Sequence, residues 1–242
     1  MMSVSPAMAG AEQDSLSERA GRSVKHPLAR TLLVLTFTTG LVDAASYLGL
    51  GHVFVANMTG NIVLLGFGIA GSGGLPVIAP LVSLGAFLVG AGAGGSLARK
   101  TANRHPRHFA WALAIEVSLI AVAVGVAAAI AIRPDAVSAD AVISLLAIAM
   151  GLRSATTRRI AVSDLPTTVL TMTLTGIAAD SLLFGGTGKG STRRTSAVAG
   201  MLAGALAGAL LLKTSLILPL AAAAAIALAA ALLYIPAARR ET

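Results

Sequence analysis

The sequence predicts an all-α, polytopic membrane helix bundle, and three observations carry that prediction. Hydrophobic residues make up 56% of the chain against 12% charged, and the mean hydropathy of +0.84 lies outside the range of ordinary soluble domains. Apolar runs near the ~20 residues that a helix needs to cross the hydrocarbon core recur from Thr31 to Ile235. No run alternates with the period of two that the strands of a transmembrane barrel require.

Eight apolar segments follow in order. The first, about 31–50, comes after a basic stretch and carries an acid, Asp43, behind TFTTGLV. The second, 53–71, holds FVANMTGNIVLL, with Asn57, Thr59, Gly60 and Asn61 at its centre. The third, 75–97, ends in the basic connector ARKTANRHPRH; the fourth, 109–132, carries Glu116 and ends at RPDAVSAD. The fifth, 139–159, runs into TRRIAVSDLP, and the sixth, 166–186, contains the polar run TVLTMTLTGIAAD. GTGKGSTRRTS leads into the seventh, 195–213, and the eighth, 215–235, is nearly free of polar groups. Residues 1–28 read as a disordered cytoplasmic tail without a cleavable signal peptide, and 29–238 as a single transmembrane domain.

The net charge of +8, from 18 Lys+Arg against 10 Asp+Glu, does not point to nucleic acid, because the basic residues sit at the ends of apolar runs. Such residues report topology instead. If all eight segments spanned with the N-terminus inside, the basic residues would divide 10 inside to 8 outside. If the second and sixth segments enter and leave on the same side, the division becomes 16 to 2, and with the second alone re-entrant it is 12 to 6. The positive-inside rule selects about six spanning helices plus two interrupted or re-entrant segments, with both termini and the loops at 98–108 and 187–195 in the cytoplasm. The segments singled out by charge are also those with polar centres. Breaks are expected at Thr59-Gly60 and Thr175-Gly176, since non-helical backbone at membrane depth is tolerated where protein or a water-filled cavity surrounds it.

The halves about 30–132 and 140–236 look like a tandem duplication. MTGN at 58–61 matches LTGI at 174–177, an offset of 116, and GLVDAAS from Gly40 matches GLRSATT from Gly151, an offset of 111. Ala86, Gly90 and Gly94 correspond to Gly200, Gly204 and Gly208 at an offset of 114. Three spans in each half would make the second half enter the membrane from the opposite face. An inverted repeat is therefore expected, with a site near the midplane where the halves meet.

GLVDAASYLGLGHVFVANMTGNIVLLG at 40–66 resembles the signature of the YoaK family of bacterial multi-span membrane proteins, and DLPTTVLTMTLTGIAAD at 164–180 is similar to that family's other patterned region. The resemblance implies a bacterial inner-membrane protein of about six spans with no assigned substrate. It supplies no catalytic residues to carry over.

The candidate substrate or ion pathway comprises Asp43, Asn57, Thr59, Gly60, Asn61, Thr171, Thr173, Thr175, Gly176 and Asp180. For Asp43 two readings stand: a proton, cation or substrate site, and a carboxylate bonded to the freed N–H groups of a broken helix end. Asp180 is read as its second-half counterpart or as an interfacial group. Glu116 is a candidate coupling acid or a snorkelling side chain, and Arg153 is expected to snorkel, with pairing to Asp43 or Glu116 as the alternative. Ala86, Gly90, Gly94, Gly200, Gly204 and Gly208 form small-xxx-small rows for close helix packing.

No catalytic centre, metal site or cofactor is expected. GTGKGST lacks the Gly and the Ser/Thr that a phosphate loop requires, since Leu183 and Gly190 occupy those positions, and HPRH at 105–108 reads as a solvated loop. The expected function is that of a small-solute or ion transporter or channel, not an enzyme; a non-transporting membrane scaffold or partner subunit is the alternative. The expected partners are the lipid bilayer, a small solute or ion and, through the glycine faces, a second copy in a homo-oligomer.

Overall fold

A computed structural model describes residues 27–100, 105–134, 136–160, 170–181, 185–188 and 190–240. The tail at 1–26 and the start of the sixth segment, including DLPTT, lie outside the described residues. Eight helices and no strands occur among those described: α1 Pro27–Gly49, α2 Met58–Ile69, α3 Ile78–Lys100, α4 His105–Ala129, α5 Val137–Ile160, α6 Leu170–Ala179, α7 Ser191–Leu212 and α8 Ile217–Arg240. Six of them, α1, α3, α4, α5, α7 and α8, are long and apolar enough to cross a membrane. The other two have 12 and 10 residues, about 18 and 15 Å, and are too short for a ~30 Å core. These are the two segments that the charge distribution marked.

Packing is dictated by glycine. The most extensive contacts are α1 on α7 and α3 on α5. A Cβ on Gly204 would stand 2.0 Å from the carbonyl oxygen of Phe37, and one on Gly90 would stand 2.1 Å from that of Ile148. One turn on, Gly208 meets Leu41 and Ala44, as Gly94 meets Leu152 and Ala155. The partner helices return the contact through Gly40, against Met201 and Ala205, and Gly151, against Phe87 and Ala91. Both pairs run parallel, because residue numbers rise together along each interface. Adding 111 to the α1 residues and subtracting 114 from the α7 residues reproduces the α3–α5 contacts, so one contact is built twice. Gly200 is not part of it: the nearest atom to a Cβ there is 3.7 Å away.

Around these pairs α1 also packs on α8, α5 on α4, and α4 on α8, while α2 lies on α3 and α6 on α7. Two apolar clusters fill the interior. One includes Leu28, Leu32, Leu35, Phe109 and Leu113, and the other Leu41, Val53, Val55, Ile120, Ile143 and Leu220. Along α1 they leave a gap between Leu35 and Leu41. The outer surface stays apolar, with Leu88, Leu202 and Leu233 each more than two thirds exposed, as the bilayer demands of its solute.

The expected breaks fall elsewhere. Thr59 and Gly60 sit in the first turn of α2, and the non-helical backbone is the stretch 50–57 before it. Asn57 begins the helix by accepting from the Gly60 N–H at 3.2 Å, and Gly60 is small because a Cβ would press on the Phe54 ring at 2.9 Å. Thr175 and Gly176 lie inside α6, where a Cβ on Gly176 would strike the Arg194 guanidinium at 2.8 Å. Both glycines serve close approach. The loop expected at HPRH is the first turn of α4, and His108 in it is buried.

Candidate functional site

The gap between the apolar clusters holds charge. Arg153 of α5 is 3% exposed and Glu116 of α4 is 1% exposed, and their side chains form a two-armed ion pair. The Arg153 Nε donates to Glu116 Oε2 at 3.0 Å, while Nη2 donates to Oε1. Its Nη1 crosses to α1, donating to the Leu35 carbonyl at 2.7 Å and to Thr39 Oγ1 at 2.8 Å. The Thr39 hydroxyl in turn donates to the same Leu35 carbonyl at 2.9 Å. Glu116 and Thr39 each lie within one residue of the middle of their helices, so this layer stands near the middle of the bundle.

Both snorkelling readings are thereby corrected. Helix α4 begins at His105, four residues before the start expected for the fourth segment, which puts Glu116 three turns from the helix start, where it is buried against Arg153. Arg153 turns inward because Glu116, Leu35 and Thr39 satisfy its donors there, and breaking such a pair leaves an uncompensated charge.

Asp43 lies one turn beyond Thr39 on the same face of α1 and is 4% exposed. Its Oδ1 accepts from the N–H groups of Val55 and Ala56 at 3.0 and 2.9 Å, while its Oδ2 is buried without a hydrogen-bond partner. The amides come from the stretch between α1 and α2. That stretch is pinned again at Phe54, whose N–H donates to Asn61 Oδ1 at 2.9 Å and whose carbonyl accepts from Asn61 Nδ2 and Ser83 Oγ, both at 2.7 Å. Asn61 Nδ2 also reaches Ser83 Oγ at 3.1 Å. The turn into it needs positive φ at Gly51 and at His52, whose ring meets Tyr47 edge-on while Tyr47 stacks on Phe54.

The remaining candidate residues do not join this network. Asn57 and Thr59 are exposed at the start of α2; Thr171 and Thr175 are exposed on α6, and Thr173 is buried. Asp180 pairs with Arg194 of α7, which also donates to the Gly176 carbonyl at 2.6 Å. Since Phe37 is level with Gly204 on parallel helices, Arg194 and Asp43 are separated by 16 residues along the bundle, about 24 Å. Asp180 therefore shares no site with Asp43, and α2 and α6 have no extensive contact. One cavity shared by Asn57, Asn61 and Thr173 does not follow from this arrangement, because each short helix is held at its own end of the bundle.

Sequence reasoning missed Ser83, Thr39, Arg194 and the packing role of Gly40 and Gly151. Only the two glycines carried a signal, each opening one of the similar stretches GLVDAAS and GLRSATT. Among the described residues no cluster of His, Cys, Asp and Glu could hold a metal ion.

The profile of a family described as protein of unknown function, DUF1275, matches residues 31–234. The UPF0700 transmembrane protein YoaK of Bacillus subtilis (strain 168) is 35% identical over 150 residues, covering 62% of this chain and 65% of that relative, which is less than two thirds of its length. No solved structure matches.

Proposed function

The chain belongs to the DUF1275 family of multi-pass membrane proteins, and from that premise we propose that it is a transporter or channel for a small solute or ion, with its site at mid-membrane. One observation carries the reading. Arg153 from the second half of the chain meets Glu116, Leu35 and Thr39 from the first half in the centre of the bundle. Ionised groups at that depth are costly, and they recur on solute, ion and proton pathways. The doubled glycine contact supports an inverted repeat, in which the two short helices guard opposite faces: α2 the outer and α6 the inner. The basic residues support a cytoplasmic location for both termini in the bacterial inner membrane. No chemical step is assigned to the network, and the reading includes neither a nucleic-acid partner nor a cofactor.

A second reading, the non-transporting scaffold, draws on how completely Arg153 is satisfied within the chain. Its original support in the glycine rows is weaker, because Gly90, Gly94, Gly204 and Gly208 are consumed by contacts inside the chain. The test is a thermal-shift screen of the purified protein across metabolites, ions and pH, followed by uptake into proteoliposomes for each stabilising compound. Transport expects at least one compound that raises the unfolding temperature and is taken up. Uptake lost in an Arg153→Met/Glu116→Gln double variant that still folds would tie it to the network; a flat screen with no uptake would favour the scaffold.

A further inference from the structure

We propose that Asp43 is a proton-operated latch on the segment 53–57, closed when its carboxylate is ionised and released when it takes up a proton. The latch deepens the transport reading and rests on it in one respect only, that this segment guards one face of the site.

The two carboxylate oxygens have different work. Oδ1 holds the Val55 and Ala56 amides, whereas Oδ2 is buried and has no hydrogen-bond partner. A metal ion would need several ligands around Oδ2, and among the described residues no cluster of His, Cys, Asp and Glu could supply them. A proton needs only the one oxygen. Bonds from N–H groups to an ionised carboxylate are roughly twice as strong as neutral ones, so protonation at Oδ2 weakens both amide bonds while leaving Oδ1 in place.

The surroundings make Asp43 the group that decides. From α5 the facing charge is Arg153, already paired with Glu116 of α4. Helix α7 has no titratable side chain between Arg194 and Lys213, and α8 has none before Tyr234. On the segment's own approach stands His52, exposed against Tyr47. At the matched position of the second half, 111 residues on, the sequence has Ser154, which cannot ionise and whose Oγ also has no hydrogen-bond partner. The latch is thus confined to one half, which makes the two faces respond differently to pH.

The chain has no cysteine, so single cysteines report cleanly. Labelling of Ala56→Cys, 3% exposed in the native residue, is measured in proteoliposomes at mildly acidic and mildly alkaline pH. Dividing by the rate at Ser72→Cys, an exposed loop position, removes the pH dependence of the thiol itself. The normalised rate is expected to rise on the order of tenfold on acidification. Adding Asp43→Asn should hold it at the fast rate at both pH values. Hydrogen exchange of the 53–57 amides in the cysteine-free chain, corrected for intrinsic rates, gives the same comparison if the cysteine disturbs folding. A pH-independent rate with Asp43 present overturns the latch, as does a pH step that survives Asp43→Asn and disappears with His52→Gln. No solute enters the measurement, so failure here leaves the transport reading standing, and an empty solute screen leaves the latch measurable.

Discussion

Glu116 and Arg153 illustrate how much a single partner decides at the residue scale. Glu116→Gln leaves the guanidinium without its countercharge in the bundle interior and is expected to destabilise the fold by about 3–5 kcal/mol. Adding Arg153→Met removes the stranded charge and should recover most of that loss, read as the unfolding temperature in detergent. A double variant no better than the single one would assign the cost to the lost bonds at Leu35 and Thr39. Asn61 and Asn57 look alike in the sequence, yet Asn61 is fully buried and clamps Phe54, while Asn57 is an exposed helix cap. Asn61→Ala should therefore cost about 1–3 kcal/mol and speed amide exchange across 53–57, and Asn57→Ala only about 1 kcal/mol. The sequence marked both residues as polar groups in an apolar run. It offered no means of telling clamp from cap, because the clamp's partners are backbone groups and a serine 22 residues away.

At the scale of the element, the glycine row in α7 separates into contact and bystander. Gly204→Ala drives a methyl into the Phe37 carbonyl, whereas Gly200→Ala has room. The first is expected to lower the yield of folded, monodisperse protein severely and the second to be near neutral, with Gly204→Leu worse still. Because the contact is built twice, Gly90→Ala in α3 should match Gly204→Ala. Normal folding of Gly204→Ala together with lost transport would move the glycine from packing to mechanism. The existence of the rows was legible from their spacing of four. Their partners were not, since any helix presents carbonyls and nothing in the row names the facing one.

At the scale of the whole molecule, six spans and two short helices leave few basic residues on one face. Ser191→Cys, at the start of α7, is expected to be shielded from an impermeant thiol reagent in intact cells, and Ser72→Cys, past the end of α2, to react. The reverse pattern would invert the orientation, and shielding of both would require α2 to be read again as part of a full span. That the second and sixth segments differ from the other six was legible because charge at their flanks reports topology, and their helices then proved too short to span. Where the short helices stand relative to one another was not legible, and the expected meeting at mid-membrane gave way to positions at opposite ends.

The sequence by itself determined that the chain is a multi-pass membrane protein built of eight apolar segments, and it marked two of them as different from the other six. These properties arise segment by segment, from transfer of apolar side chains into hydrocarbon and from charges retained at segment ends. Only the tertiary structure decided which charged groups meet. Arg153 reaches a carbonyl 118 residues away, and the choice among Asp43, Glu116 and the membrane surface turned on helix register and on the ångström-scale approach that the glycines permit. Hydrogen bonds are short and directional, so their partners depend on coordinates that no local pattern contains.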